Sequence, residues 1–142
     1  MSKPIFTWSV RVYYEDTDAS GVVYHANYLK YFERARTEWL RALGVSQQNL
    51  RGVKDVVFTV ANLEIDFLRP ARLDDALTVT VVIEQLRRAS LMFSQTLSRD
   101  TEPDSPLSKA RVRVGCVDME NFKPCPLPDV FSEYLATHGV SA

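Results

Sequence analysis

One helix-length segment carries a single apolar face, and the strand-length segments that follow it change to period two. That switch constrains the fold more than any other feature of the chain. In residues 28–43, Tyr28, Phe32, Ala35, Trp39 and Leu43 recur at spacings of four, three, four and four, so they share one side of a helix. Lys30, Arg34, Thr37 and Arg41 fall opposite. Asn27 is placed to cap the start and Gly44 to end it. Before the helix, residues 5–14 (IFTWSVRVYY) are β-branched and aromatic and read as a strand.

Behind the helix, Leu63, Ile65 and Phe67 alternate with Glu64 and Asp66. Pro70 and Asp74-Asp75 punctuate a turn, and Leu77, Val79, Val81 and Ile83 alternate again. Arg87-Arg88 mark the next corner, and residues 90–98 run back. DTEPDSP at 100–106 is a loop. In residues 109–118, Val112, Val114 and Cys116 face one way, Arg111 and Arg113 the other. Pro128 suits the first turn of a short final helix. Short corners between successive strands favour antiparallel pairing. A lone helix with a broad apolar face must lie against the resulting sheet. The expectation is α+β: a five-stranded antiparallel sheet wrapped on one long helix, in one domain spanning residues 1–142.

Composition narrows the function. The 17 basic and 18 acidic side chains leave a formal charge of −1, so no basic excess draws a nucleic-acid backbone. The N-terminus, MSKPIFTWSV, lacks the apolar core of a signal peptide, and no run approaches a membrane span. Two cysteines, Cys116 and Cys125, make no disulfide framework. His25 and His138 stand far apart, and no Cys/His cluster has metal-ligand spacing. A cytoplasmic protein with free thiols and no metal or cofactor is expected.

The chemistry gathers just ahead of the helix, in EDTDASGVVYHANYLKYFERAR at residues 15–36. Alternation puts Glu15 and Asp16 on the strand's edge. Asp18 precedes Gly21 and lies near the helix start, where unpaired N–H groups carry partial positive charge. Spacing alone leaves two readings of Asp18. One is a cap or a solvated turn. The other is a carboxylate facing amide donors that hold an oxyanion during acyl transfer. On the same footing, His25 reads as structural or catalytic, and Tyr14 and Tyr24 as packing or site residues. The chain has no nucleophile-elbow sequence. A thioester suits so small a kit, because a thiolate leaves with little help from a general acid; the cysteine thiol, for comparison, has a pKa of about 8.5.

The stretch RVYYEDTDASGVVYHANYLKYFERAR resembles the signature of the hotdog-fold acyl-CoA thioesterases of the 4-hydroxybenzoyl-CoA thioesterase family. Arg11, Val12, Thr17, Asp18, Gly21, Val22, Val23, His25 and Tyr28 meet it position by position. SQQ at 46–48, RPARLDD at 69–75, SLMF at 90–93 and CVD at 116–118 are similar to the YbgC, Tol–Pal-associated branch. The resemblance implies hydrolysis of acyl-CoA with Asp18 as general base or nucleophile. It implies that the His25 backbone N–H is the oxyanion donor and that Gly21 lets the carbonyl approach the backbone. It further implies that Tyr14 and the His25 side chain, which flank the Asp as a Tyr and a His do in that branch, help the site. Gly21, Val23 and Tyr24 are the candidate substrate-binding residues beside them. Basic residues should meet the phosphates of CoA; Arg87 and Arg88, or Arg111 or Arg113, are candidates, and a solvated sheet face is the competing reading of each.

The hotdog fold implies a homodimer paired sheet edge to sheet edge, with the site between one chain's carboxylate loop and the other chain's strands. Such dimers often pair again into a homotetramer. Two other functions remain open. A hotdog dehydratase needs a differently arranged His and acid, which the Asp18 signature argues against. An envelope-linked adaptor would bind acyl-CoA or acyl carrier protein with little turnover.

Overall fold

The computed structural model describes residues 5–44 and 56–138. The SQQ segment at 46–48 lies outside them. The order is β1 (Phe6–Arg11), a 3-10 turn (Tyr14–Asp16), α1 (His25–Ala42), β2 (Val56–Phe67), β3 (Ala76–Leu86), β4 (Ser90–Arg99), β5 (Ser108–Asp118) and α2 (Asp129–His138). The strands form one five-stranded sheet in the order β1-β3-β4-β5-β2, and each neighbouring pair is antiparallel. The long helix lies against β3 and β1. This is the hotdog arrangement that the resemblance implies.

The periodicities account for the core. Tyr28, Phe32, Ala35 and Trp39 are buried on α1, and Leu77, Val79, Val81 and Ile83 are buried on β3. Leu91, Phe93 and Leu97 continue the layer on β4, and Val112, Val114 and Cys116 on β5. Gln95, Ser98 and Ser108 are the buried polar residues among those described, and Gln95 is the largest. Buried on β4, it donates through Nε2 to the Phe32 carbonyl at 3.0 Å and accepts from Arg36 Nη1 at 2.9 Å, so its amide is satisfied on both sides. Trp39 anchors the far end of the helix. Its ring meets Phe93 and Tyr134 nearly edge-on at 5.5 Å and lies 6.1 Å from Phe131.

Three boundaries differ from the sequence reading, each for a local reason. The first strand stops at Arg11 rather than residue 14, because the Asp16 carboxylate accepts the Tyr13 N–H at 2.9 Å and winds residues 14–16 into a 3-10 turn. Glu15 and Asp16 are therefore turn residues and not strand-edge residues. The helix begins one turn earlier than the apolar pattern, at His25, and Asn27 is inside it rather than capping it. The side chain of Asn27 makes a tertiary bond instead, described below. At the other end Gly44 behaves as expected: at φ 84°, its N–H closes on the Arg41 carbonyl at 2.9 Å.

The β2 strand is where local pattern and burial part company. Leu63 sits opposite Val112 and Ile65 opposite Ala110, so they face the same side as the β5 core residues. Yet Val60, Leu63 and Phe67 are 53%, 36% and 50% exposed. Among the described residues, the helix lies mainly over β1 and β3 and meets the opposite edge strand, β2, at Phe67, whose ring is 5.2 Å from Tyr28.

Candidate active site

The loop between β1 and α1 is tied down on both flanks. Val12 exchanges backbone bonds with the segment before β3: its N–H donates to Asp75 at 3.0 Å and its carbonyl accepts from Asp74 at 3.1 Å. Val23 donates to the Ala71 carbonyl at 2.8 Å, and the Ala71 N–H donates to the buried Tyr28 hydroxyl at 3.0 Å. Between these ties, Thr17 and Val23 form an isolated antiparallel bridge. The Asp18 N–H donates to Val22 at 2.9 Å and the Gly21 N–H returns to Asp18 at 3.1 Å, which closes a four-residue turn. Gly21 has φ 81°, a value that only glycine adopts without strain, so the turn needs its glycine.

Asp18 stands at the first corner of that turn. Its Oδ1 accepts the Ser20 N–H at 2.8 Å and the Ser20 hydroxyl at 2.5 Å. These bonds, the hydroxyl first, hold the carboxyl below its ordinary range, so it is ionised at neutral pH. Both Ser20 donors fall on Oδ1.

The helix start is open. Tyr24 occupies the N-cap position and makes no side-chain cap bond, and the first turn contains no acidic residue. The Asn27 N–H folds back to the Tyr24 carbonyl at 2.8 Å. The His25 N–H is at the first helical position, where no intrahelical acceptor exists. Beneath the loop lies Tyr31, whose phenol is pushed far above its ordinary pKa by burial and then by the nearby Asp16 carboxylate.

Within one chain these parts face two hollows. Tyr14, Thr17, Asp18, Ala19, Gly21 and Leu73 line a hollow of about 390 Å³. Val23, His25, Tyr28, Phe67, Arg69 and Pro70 line part of another, of about 270 Å³. The expectation that the carboxylate and the helix amides would face one small volume is therefore not met by the single chain. Ser20 folds the Asp18 carboxylate over its own turn, on the exposed side of the loop. Tyr14 shares the hollow with Asp18 and is 83% exposed. The His25 ring packs 4.4 Å from the Tyr24 ring and 6.3 Å from Phe67 of β2.

The expected basic residues are elsewhere. Arg87 and Arg88 lie just past the end of β3, at its corner with β4, where the Arg87 N–H donates to Ser90 and the Arg88 carbonyl accepts from Leu127. The Asp18 loop is bonded to residues just before β3, so about 33 Å of strand separates the two within one chain. Arg111 is paired with Glu84 on the outer face of the sheet, Nη2 to Oε2 at 2.8 Å. Two arginines that the sequence reading passed over do border the loop. Arg69 lines the His25 hollow, and Arg72 bridges Val22. Their signal was available in RPARLDD, which joins β2 to β3 and carries the backbone partners of Val12 and Val23.

Comparison with known proteins agrees with this geometry. Residues 20–105 match the family model described as the thioesterase superfamily. The chain is 50% identical over 123 residues to the acyl-CoA thioesterase YbgC of Haemophilus influenzae, covering 87% of this chain and 88% of that one. It is 46% identical over 128 residues to the acyl-CoA thioester hydrolase YbgC of Escherichia coli, covering 90% and 93%. Among solved structures, a probable thioesterase from Bartonella henselae superposes with TM-score 0.82 at 38% identity, covering 88% of this chain and all (100%) of that one. A 1,4-dihydroxy-2-naphthoyl-CoA thioesterase from Synechocystis superposes with TM-score 0.85 at 29% identity, over 94% and 96%. Signature, sheet order and these likenesses converge: the chain belongs to the thioesterase superfamily and, within it, to the YbgC branch of its hotdog-fold members.

Proposed function

We propose that the protein hydrolyses acyl-CoA thioesters to the free acid and CoA, with Asp18 as the reacting carboxylate and the backbone N–H of His25 as the oxyanion donor. The observation that carries this reading is the uncapped start of α1, next in the chain to an ionised aspartate that borders an open hollow. A side-chain cap would occupy N–H groups of the first turn; here the His25 N–H, ahead of the Asn27 N–H that bonds Tyr24, is left for a substrate oxygen.

The residues suit the reaction. Asp18 either draws a proton from water or attacks the thioester carbon itself. In both routes the carbonyl oxygen becomes negative as the new bond forms, and the helix N–H groups stabilise it. A donor of this kind contributes roughly 2.7–4 kcal/mol, and general-base assistance about 10²- to 10⁴-fold. The tetrahedral intermediate then collapses with loss of CoA thiolate, which needs no strong acid; in the nucleophilic route the acyl–Asp18 anhydride left behind is cleaved by water, which releases the free acid and restores the carboxylate. Gly21 leaves room beside the turn, Val23 and Tyr24 border the path of the substrate, and Tyr14 and the His25 ring flank the reacting group. Arg69 and Arg72 are the cations bordering the loop of the same chain and suit the phosphates of CoA. Arg87 and Arg88 can serve only a site on a partner chain.

The bare β2 edge supports a homodimer. Pairing two copies along β2 would satisfy its unpaired backbone groups and cover Val60, Leu63 and Phe67. It would also add walls to the two open hollows. Further pairing to a homotetramer is consistent with the branch resemblance. Both cysteines are free thiols, which suits a cytoplasmic location. Among the described residues no helix is long and apolar enough to cross a membrane.

An acyl-CoA panel from short to long chains, read by released thiol, tests the reading. Asp18→Asn should reduce turnover by at least about 10²-fold while substrate still binds. Equal turnover in variant and wild type would reject it. Binding of acyl-CoA or acyl carrier protein by a wild type that hydrolyses neither would favour the adaptor.

A further inference from the structure

We propose that Cys116 and Cys125 form a dithiol site that reacts with a low-molecular-weight disulfide, such as glutathione disulfide, to give an internal disulfide fastening the segment before α2 to β5.

The geometry is that of two cysteines facing each other across a short ladder. Val117 and Pro124 form an antiparallel bridge. On one side of it the Asp118 N–H donates to the Lys123 carbonyl at 2.9 Å; on the other the Cys125 N–H donates to the Cys116 carbonyl at 3.0 Å. Positions 116 and 125 are therefore directly opposed, one step along from the bridge, with side chains on the same face. Their Sγ atoms lie 3.4 Å apart. Directly opposed residues in antiparallel strands have Cα atoms about 4.5–5.5 Å apart. Disulfides span about 4.4–6.8 Å between Cα atoms. Backbone spacing and sulfur contact agree independently that the bond can close by side-chain rotation.

The two thiols are unequal, which sets the order of events. Cys116 is 0% exposed, so a dissolved reagent meets Cys125 first. Burial, reinforced by the neighbouring Cys125, pushes the Cys116 thiol up to about 12. In the first step the Cys125 thiolate attacks one sulfur of the reagent, the reagent's S–S bond breaks, and one small thiolate departs. In the second, Cys116 loses its proton to solvent and attacks the Cys125 sulfur, and the second small thiolate departs. Two protein thiols are oxidised and one reagent disulfide is reduced to two thiols. The second step is the slower, because the Cys116 thiolate is scarce, and it accelerates with rising pH.

The closed bond has a structural consequence. The segment runs into α2, which carries Phe131 and Tyr134 onto Trp39 and sets Phe131 5.8 Å from Phe58 of β2. A bond at Cys125 pins the entrance of that helix to the sheet.

The test incubates the full-length protein with glutathione disulfide at mildly alkaline pH, alkylates remaining thiols and measures intact mass without reductant. Wild type should lose both titratable thiols and the mass of two hydrogens, retain no glutathione, and yield a linked Cys116–Cys125 peptide. Cys116→Ser should stop at one stable glutathione adduct on Cys125. Cys125→Ser should stay unmodified while folded. A stable wild-type adduct, two thiols surviving conditions that modify Cys116→Ser, resistance of both proteins, or cross-linked chains would each overturn the proposal. The wild-type peptide map keeps it falsifiable if a serine variant fails to fold.

Discussion

Asn27 reaches back from the first turn of α1 to the carbonyl of Asp16, donating through Nδ2 at 2.8 Å. The same oxygen accepts the Tyr24 N–H at 3.0 Å. One carbonyl thus fixes both the chain entering the helix and the helix itself. The relation between the Asp18 turn and the His25 N–H is held by this partly buried junction, not by the exposed loop.

Asn27→Ala should therefore slow the reaction without weakening binding. Loss of one neutral hydrogen bond costs about 0.5–1.5 kcal/mol, so kcat should fall by up to about tenfold. KM should stay near its wild-type value. Steady-state kinetics with one acyl-CoA decide the matter; a raised KM at unchanged kcat would move Asn27 to substrate binding.

Ser20→Ala should shift the acid limb of the rate profile to higher pH. In the proposed reaction Asp18 acts in its ionised form, and the Ser20 hydroxyl is the largest cause of its lowered pKa. Wild-type activity should persist to lower pH than an ordinary aspartate, at about 3.9, would allow. Without the hydroxyl the carboxylate is harder to keep ionised, and activity is lost earlier as pH falls. A profile of kcat/KM against pH that did not move on substitution would refute this tuning role.

Leu63→Lys should split the proposed homodimer. It places a charge at the middle of the bare apolar strip of β2, where a paired copy would have to desolvate it. Sedimentation should show the smaller species with an unchanged far-ultraviolet spectrum, and turnover should fall with assembly. Retention of the wild-type mass would exclude β2 as the pairing edge.

Trp39→Ala should cost about 3–5 kcal/mol of folding stability, read from urea unfolding. The ring is buried against Phe93, Phe131 and Tyr134, so its removal leaves a cavity between α1, the sheet and α2. A loss below 1 kcal/mol would mean that α2 closes the gap.

The legible parts of this protein are those written in local spacing. The stripe from Tyr28 to Trp39, the alternation along β3 and β5 and the stop at Gly44 all follow from backbone period and from one residue's conformational freedom. Where a side chain left its local role, the reading failed. Asn27 has the chemistry of a cap, yet it bonds Asp16, eleven residues earlier. Leu63 and Phe67 carry a core pattern, yet they stay exposed because α1 lies mainly over β1 and β3 and touches β2 through Phe67 alone of the two.

By itself, the sequence determined a helix and a set of half-buried strands, and it marked Asp18, Gly21 and His25 as one signature. Only the tertiary structure decided which residues became neighbours. It set Arg69 and Arg72 beside the loop, held Arg87 and Arg88 a strand's length away, turned the Asp18 carboxylate onto Ser20, and brought Cys116 opposite Cys125. The reason is physical. Period and turn chemistry are properties of a few adjacent residues, whereas proximity across a sheet depends on strand order and register, which the whole core fixes at once.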